Sequence, residues 1–289
     1  MAYRKYLIKE EYKNVYYFLK KNGFSENYIS NLRKKMGYIK INGSEVNIKA
    51  RLKPGDLLEL EASPNKPTLI KNCSIPLNIV FEDEYYLLIN KPSGLSCMPN
   101  KSHYTNNLAG AICYYLNNTE NFVLRIINRL DKDTAGLVLV AKDSIAQKDI
   151  KDIEKSYIAI CEGKIDNYMK IDKKIETICI NGVNVRKRIV SNNGKDAITY
   201  VSPLKFNDKY SLIELKLVYG RTHQIRLHLS SIGHPLVGDE IYGHANSQFS
   251  HTALVCNKMS FYHPYLQKTL NFEVSMPDDF DEFIKKYVG

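Results

Sequence analysis

The chain has 289 residues and lacks the features that mark membrane, disulfide-rich and metal-binding proteins. No apolar run approaches the roughly 18 residues that a membrane helix requires, and the N-terminus with its Lys and Tyr residues does not resemble a signal peptide. The six cysteines include no Cys-x-x-Cys pair, and the seven histidines include no His-Glu-x-x-His pattern. We therefore expect a cytoplasmic chain with reduced thiols, no membrane contact and no metal.

Positive charge is what the chain has in excess, with 41 Lys and Arg against 31 Asp and Glu and a formal net charge of +10. The excess is concentrated in residues 1–63, which hold 13 Lys or Arg and 7 Asp or Glu, a net charge of +6. A strongly basic segment joined to a less basic remainder of the chain suggests a polyanionic partner, most simply nucleic acid. A lysine-rich surface that reflects a compositional bias would produce the same excess, so charge favours this partner without establishing it.

Residues 12–61 have the pattern of a small α/β module. Apolar residues at helical spacing predict two short helices, the first ended by Gly23 and the second capped by Ser25. An Asn-Gly turn at residues 42–43 and a Pro-Gly-Asp turn at residues 54–56 predict the hairpin strands that follow. The second helix ends in a basic run that we select as candidate nucleic-acid-binding residues: Arg33, Lys34 and Lys35.

The domain organisation follows from a change in composition after this module. Residues 62–76 contain three prolines and no amphipathic period, which is typical of a linker. We therefore predict a basic module over residues 1–61, a linker over 62–76 and a larger domain over 77–289. Strand and helix patterns are mixed in the larger domain, including a helix over residues 107–116. They predict the α+β class with a mixed, largely antiparallel sheet.

One polar turn in the larger domain contains a candidate catalytic carboxylate. Residues 127–137 read Ile-Asn-Arg-Leu-Asp-Lys-Asp-Thr-Ala-Gly-Leu, and the apolar run at 137–141 predicts a buried strand directly after the turn. Asp131 is thus anchored on a rigid element, and the positive charges of Arg129 and Lys132 beside it favour its ionised form. A lone Asp in such a position is commonly just a turn cap.

Two further segments contain polar residues beside regular structure. Residues 155–163, Lys-Ser-Tyr-Ile-Ala-Ile-Cys-Glu-Gly, predict a strand that includes Tyr157. Residues 218–229, Val-Tyr-Gly-Arg-Thr-His-Gln-Ile-Arg-Leu-His-Leu, predict a helix capped by Thr222 after a half-buried strand. The histidines at 223 and 228 face different sides of that helix, so a shared metal is not expected.

Together these motifs resemble the RNA pseudouridine synthases that modify uridines of ribosomal RNA, and the resemblance covers nearly all of residues 77–280. It implies that Asp131 is the catalytic residue and that Arg226 pairs with it and orients it. It also implies that Tyr157 packs on the target base and is a candidate for proton transfer. Four more residues are carried over as pocket-framing or RNA-contacting groups: Arg129, Arg221, His223 and Gln224.

Other segments extend the resemblance, and two positions depart from it. The basic residues 186–188 are expected to form a hairpin that grips RNA phosphate, and residues 233–243 match a segment near the active site of the family. The N-terminal module resembles one shared by a small-subunit ribosomal protein and tyrosyl-tRNA synthetases. Asn128 replaces the usual His and Ala135 the usual Ser, which bears on the substrate more than on the activity.

The resemblance implies an isomerase that detaches uracil from ribose at ring nitrogen 1 and rejoins it through carbon 5. No redox change or group donor is involved, so we expect no cofactor. Asp131 could attack the ribose, attack the base or remove a sugar proton. The expected partner is RNA, with ribosomal RNA of the large subunit favoured and transfer RNA as the alternative, and we expect a monomer.

Two other functional classes remain open from the sequence. A catalytically silent RNA-binding or ribosome-assembly factor would not need to retain Asp131, Tyr157 and Arg226 together. A carboxylate-dependent glycosidase would need a second acidic group, and Asp133 is the only nearby candidate.

Overall fold

The computed structural model describes residues 3–62, 70–99, 105–116, 123–179, 186–246, 249 and 251–288. The chain divides into two compact units. The first comprises Met1–Leu88, Ala109–Asn128 and Leu139–Ile150, and the second comprises Ile89–Leu108, Arg129–Val138 and Lys151–Gly289. The module, linker and domain boundaries stay a prediction, and residues 63–69 of the linker lie outside the described residues.

The N-terminal part of the first unit is a small antiparallel sheet with two helices. Its elements are β1 (Tyr3–Leu7), α1 (Val15–Lys21), α2 (Glu26–Leu32), β2 (Ile39–Ile41), β3 (Ser44–Glu45) and β4 (Leu57–Glu61). The strand order is β1-β4-β2-β3. The helices and β2 to β4 confirm the sequence pattern, whereas β1 was not foreseen because its residues Tyr-Arg-Lys-Tyr-Leu lack apolar alternation.

Local signals explain where these elements begin and end. The Ser25 hydroxyl oxygen accepts a hydrogen bond from the Tyr28 N–H at 3.2 Å, so Ser25 is the predicted cap of α2. Asn42 and Gly43 both have left-handed φ angles, 52° and 81°, as a two-residue hairpin turn requires. The apolar faces of α1 and α2 pack on the sheet around buried Leu19, Ile29 and other residues of one core.

The chain passes between the two units within three secondary-structure elements. The remaining elements of the first unit are, in chain order, β5 (Ile79–Glu82), β6 (Tyr86–Lys91), α3 (Leu108–Tyr115), β7 (Arg125–Ile126), β8 (Ala135–Ala141) and α4 (Ser144–Asp149), with β6, α3 and β8 contributing to both units. Every residue of β8 is buried, which confirms the strand predicted over 137–141. Helix α3 lies within the predicted 107–116.

The second unit is built on long strands. Its elements are β9 (Lys151–Glu162), β10 (Met169–Asp172), β11 (Ile175–Cys179), β12 (Arg186–Val190), β13 (Ile198–Phe206), β14 (Tyr210–Val218), α5 (Gln224–Ser230), β15 (Leu254–His263), β16 (Lys268–Glu273), α6 (Asp278–Phe283) and a π-helical turn (Ile284–Val288).

The strands of this unit follow the order β10-β13-β14-β9-β15-β8, with β16 on β15 and a separate β11-β12 hairpin. All of these pairs are antiparallel except β15 with β8. The prediction of a mixed, largely antiparallel α+β fold is therefore confirmed. The hairpin contains the predicted basic residues 186–188 in β12, while its connection, residues 180–185, lies outside the described residues.

Strand β9 is central and is buried from Ser156 to Cys161, on both of its faces. The side chains of Ile158 and Ile160 join a core that includes Phe280 and Phe283 of α6. Tyr157 alternates with them and points to the opposite face. Within the described part of the chain, no helix is both long and apolar enough to span a bilayer.

Candidate active site

Asp131 lies in the turn directly before β8. The Thr134 N–H donates a hydrogen bond to the Asp131 carbonyl at 3.2 Å, and Thr134 itself is buried. The Asp131 side chain remains 27% exposed, so its carboxylate can be reached from solvent. Position 136, the second residue of β8, requires glycine, because a Cβ there would overlap the Cys256 carbonyl oxygen on β15. The turn thus combines a fixed backbone with an accessible carboxylate.

Three side chains from residues 91–97 bind the backbone of this turn. The Lys91 ammonium donates to the Lys132 carbonyl at 3.0 Å, and the Ser93 hydroxyl donates to the Asp133 carbonyl at 2.9 Å. The Cys97 thiol donates to the Leu130 carbonyl at 3.2 Å and accepts from the Leu130 N–H at 3.4 Å. None of these contacts uses the Asp131 side chain, so the turn is positioned without blocking its carboxylate.

Lys91 is completely buried. Its ammonium also donates to the carbonyls of Pro92 and Leu95, each at 2.9 Å. Burial lowers the pKa of Lys91 to about 8, although the nearby Asp133 and Asp131 carboxylates oppose the shift. The sequence analysis did not select Lys91, because a Lys-Pro pair gives no sign that the lysine ammonium will be buried.

Helix α5 begins one residue later than its sequence suggests. Its N-cap is His223 in the left-handed conformation, with φ 57° and ψ 21°, and no side chain caps the helix. The prediction that Thr222 caps this helix is therefore wrong. A left-handed N-cap moves the imidazole out of the helical path, and it lies on the side of Asp131.

The His223 ring joins Asp131 to Tyr242. Its Nδ1 lies 3.0 Å from the Tyr242 hydroxyl, and its Nε2 lies 3.9 Å from Asp131 Oδ2. Burial lowers the pKa of His223; Asp131 opposes this, and the guanidinium groups of Arg226 and Arg188 add to it. A neutral ring that accepts from the Tyr242 hydroxyl would direct its Nε2–H at the carboxylate.

Arg226 lies on α5 with its guanidinium between two carboxylates. Its Nη1 is 4.0 Å from Asp131 Oδ2, so the two predicted partners do meet. The short contacts go elsewhere: Nε donates to Asp239 Oδ2 and Nη2 donates to Asp239 Oδ1, both at 2.7 Å. Arg226 is therefore held by Asp239, which the sequence analysis did not select, and it faces Asp131 with its remaining nitrogen.

Asp239 is fully buried. Its Oδ1 also accepts hydrogen bonds from the N–H groups of Ile241 and Tyr242, each at 3.0 Å. Burial raises the pKa of Asp239, but the hydrogen bonds from Arg226 and from these two backbone groups outweigh it, so the pKa is below its ordinary value. The sequence analysis expected the segment 233–243 near the active site. An Asp inside that segment was the one sign from which the partner of Arg226 could have been predicted.

Tyr157 projects from β9 and is 6% exposed. Burial raises the pKa of Tyr157 well above its ordinary value, and Cys256, which shares a hydrogen bond with its hydroxyl, and nearby Asp131 add to the effect. The phenol therefore stays protonated. Of the two roles expected for Tyr157, packing against a base fits this environment better than release of a proton.

The other selected residues differ in exposure. Gln224 is buried, and its side chain donates to the Ile198 carbonyl and accepts from the Arg221 N–H, both at 2.9 Å, which fits pocket framing. Arg129 is exposed, and Arg221 is partly exposed with Nε donating to the Asp196 carbonyl. Arg33, Lys34 and Lys35 are exposed residues of the first unit.

The two departures from the family pattern have interior positions. The Asn128 side-chain oxygen accepts a hydrogen bond from the Leu139 N–H at 2.8 Å, and Ala135 is buried beside Val255. Among the described residues, no group of three or more His, Cys, Asp or Glu side chains is arranged to hold a metal ion.

Similarity to known proteins identifies the family of the chain. A model of the RNA pseudouridylate synthase family matches residues 85–231. The uncharacterized RNA pseudouridine synthase YjbO of Bacillus subtilis is 32% identical over 273 residues, covering 91% of this chain and 95% of that protein. The chain belongs to the RNA pseudouridine synthase family.

Two further relatives of this pseudouridine synthase bear on its substrate and fold. Ribosomal large subunit pseudouridine synthase D of Zymomonas mobilis is 34% identical over 259 residues, covering 81% of this chain and 80% of that protein. The structure of human RNA pseudouridylate synthase domain containing 1 matches with a TM-score of 0.57 and 22% identity, covering 72% of this chain and 86% of that chain. The enzyme is thus an isomerase that converts uridine to pseudouridine in RNA.

Proposed function

We propose that this enzyme isomerises uridines of large-subunit ribosomal RNA and uses Asp131 as its catalytic carboxylate. The observation that carries the assignment is the position of Asp131 itself: a partly exposed carboxylate on a fixed turn, with Arg226 and His223 both on Oδ2. Oδ1 is then the oxygen directed at the target nucleoside. The ribosomal substrate is supported by the similarity to ribosomal large subunit pseudouridine synthase D of Zymomonas mobilis.

The residues around Asp131 take separate roles in this proposal. Arg226, fixed by Asp239, orients the carboxylate. Tyr157 packs beneath the uracil with its hydroxyl protonated, since an aromatic ring excludes water while its polar end stays bound. A target base must leave its stack to reach this site, and a dry aromatic surface offsets part of that cost.

Residues of the first unit serve as a second RNA contact. Arg33, Lys34 and Lys35 are exposed together at the end of α2, where the N-terminal module resembles a known RNA-binding module. The Arg33 guanidinium lies 5.1 Å from the centre of the Tyr16 ring, which restrains its side chain. We also propose that the enzyme works in the cytoplasm, where its RNA substrate is found, and that it is a monomer.

Mapping pseudouridines in ribosomal and transfer RNA tests the catalytic proposal. Cells that lack the protein are complemented with wild type, Asp131→Asn or Asp133→Asn, the last being a matched carboxylate of the same turn. Positions in large-subunit ribosomal RNA should be restored by wild type and Asp133→Asn alone. Restoration only in transfer RNA would replace the proposed substrate, and no change at any position would favour a silent RNA-binding factor.

A salt titration tests the basic run. Replacing Arg33, Lys34 and Lys35 by Ala should reduce the slope of log affinity against log salt by about 0.7 for each lost phosphate contact with single-stranded RNA. The matched control replaces Lys20 and Lys21, which are paired with Glu26 and Glu10. If the two variants have equal slopes of log affinity against log salt, Arg33, Lys34 and Lys35 do not contact RNA.

A further inference from the structure

The connection between β14 and α5 combines backbone strain with an exposed aromatic ring. Tyr219 has a left-handed φ of 67°, and His223 four residues later has a φ of 57°. A bulky residue is rarely found in this region, because its Cβ crowds the following carbonyl. The Tyr219 residue is nevertheless 51% exposed, so burial of its ring does not compensate for the strain. Strained residues concentrate at functional sites.

A guanidinium lies on this ring. Arg221 is 5.2 Å from the centre of the Tyr219 ring, and its Nε donates to the Asp196 carbonyl at 3.1 Å. Among the described residues, no hydrogen bond or ion pair engages its terminal nitrogens. The result is a fixed cation with free donors beside an aromatic surface, the combination that binds a nucleotide through its base and its phosphate.

The same connection borders the active site. His223 follows Arg221 by two residues, and its Nε2 lies 3.9 Å from Asp131 Oδ2. Lys155 adds positive charge, since its ammonium is 4.0 Å from the position that a Cβ on Gly220 would occupy. A chain of RNA with its target uridine at Asp131 would therefore pass this surface with an adjacent nucleotide.

We propose that Tyr219 and Arg221 form a subsite for a nucleotide next to the target uridine. The base stacks on the Tyr219 ring, and the Arg221 guanidinium binds the phosphate. This subsite rests on the proposed action on RNA and adds a contact that reads no base identity, since every base has a face to stack.

A single tryptophan reports on the subsite directly, because the natural chain contains none. Tyr219→Trp keeps an aromatic ring and provides the only indole. Tyr168→Trp is the matched control, because Tyr168 is 63% exposed and its ring stacks on Tyr200. Thr199 of the same strand contacts His228 of α5. Neighbouring residues of a strand point to opposite faces, so Tyr200 faces away from α5. The probes are a twelve-nucleotide oligouridylate and an abasic ribose-phosphate chain of equal length and charge.

The two variants should respond differently. Oligouridylate should quench the indole at 219 and leave the indole at 168 unchanged, whereas the abasic chain should quench neither. Binding is followed in parallel by the anisotropy of end-labelled RNA. Binding without quenching at 219 would overturn the subsite and leave the proposed function standing. Failure of the wild-type protein to bind oligouridylate would overturn the subsite as a contact that reads no base identity, while the pseudouridine map decides the proposed function separately.

A second variant separates recognition from folding. Tyr219→Asn removes the ring and introduces a residue that tolerates the left-handed region. Oligouridylate affinity should fall at least about 5-fold, as expected for one lost base stack, while the melting temperature holds or rises. Tyr219→Phe should keep the affinity. A fall in melting temperature with unchanged affinity would assign Tyr219 a structural role and overturn the subsite.

Discussion

The turn that carries Asp131 and the segment that carries Asp239 belong to the same compact unit, and each presents a carboxylate to Arg226. Asp239 is fully buried and accepts four hydrogen bonds, two from guanidinium nitrogens and two from backbone N–H groups. Asp131 is partly exposed, and its ion-pair distances are 3.9 and 4.0 Å. The Asp239 carboxylate is fully hydrogen-bonded, whereas the Asp131 carboxylate can still accept a hydrogen bond from a substrate.

This difference separates positioning from chemistry. A buried ion pair stabilises a guanidinium only when its hydrogen bonds are satisfied, which Asp239 achieves. A reacting carboxylate must keep an oxygen free for the substrate. Its turn is therefore held through backbone atoms by Lys91, Ser93 and Cys97.

The largest effect on turnover is expected for Asp131→Asn. Turnover should fall by about 10²- to 10⁴-fold, because the substitution removes the charge of the proposed catalytic carboxylate. RNA affinity should stay within a few-fold, and the free energy of unfolding should change by less than about 0.5 kcal/mol, since the group is partly exposed. Single-turnover isomerisation and denaturant titration measure these quantities. A loss of RNA binding equal to the loss of turnover would show that Asp131 binds RNA and does not act in the chemical step.

Asp239→Asn should impair both folding and turnover. Removing one partner of a buried pair lowers the free energy of unfolding by about 3–5 kcal/mol, and Arg226 loses its orientation. The matched control Glu240→Gln, on an exposed neighbour, should change neither. Denaturant titration decides, and a fully stable Asp239→Asn protein would show that the buried pair is dispensable.

The same residue predicts an acid dependence. The folded-state pKa of Asp239 is lowered, so its contribution to stability is complete above the ordinary carboxyl pKa of about 3.9 and is lost as the pH falls through the folded value. Thermal melts at decreasing pH should show a smaller acid loss in Asp239→Asn than in wild type.

Lys91→Met should reduce turnover by about 10- to 100-fold, because the turn that carries Asp131 loses one of its backbone anchors. The wild type should lose turnover above about pH 8, where Lys91 becomes neutral and has two N–H groups for three carbonyls. Lys132→Met, which alters an exposed side chain, should keep the wild-type pH profile. A pH profile of Lys91→Met identical to that of wild type would exclude this role.

Lys91 also predicts the sign of an alkaline stability change. Its folded-state pKa of about 8 lies below the ordinary 10.5, so burying the charged form is unfavourable at every pH below 8. The penalty becomes smaller as the pH rises from 8 to the ordinary pKa of 10.5, where the unfolded chain also loses the proton. Relative to Lys91→Met, the wild type should gain stability over this interval.

The smallest effect is expected at His223. His223→Ala should lower turnover by about tenfold, because Asp131 loses one of the two side chains that face its Oδ2 and orient it, and His223→Gln should retain most activity. Because the pKa of His223 is lowered, the ring is neutral at pH 7, and protonation at acid pH would pair it tightly with Asp131. The acid limb of the wild-type profile should therefore move to lower pH in His223→Gln. An unmoved limb would show that His223 does not act on Asp131.

The sequence by itself determined the class of fold, the helices of the N-terminal module, strand β8 and the family. These depend on local signals, since apolar periodicity, a capping Ser25 and an Asn-Gly turn act within a few residues. Asp131, Tyr157 and Arg226 could be selected because their motifs are contiguous. The start of α5 could not, because a left-handed His223 replaced the more obvious cap at Thr222.

Only the tertiary structure decided which groups meet. Asp239 lies 13 residues after Arg226, and Lys91 lies 41 residues before the carbonyl that it binds. Nothing local marks a lysine that will be buried among carbonyls or an aspartate that will saturate a guanidinium. Burial and partner geometry arise when distant strands pack, and these two factors make Asp239 a support for Arg226 and leave the Asp131 carboxylate partly exposed for its proposed role.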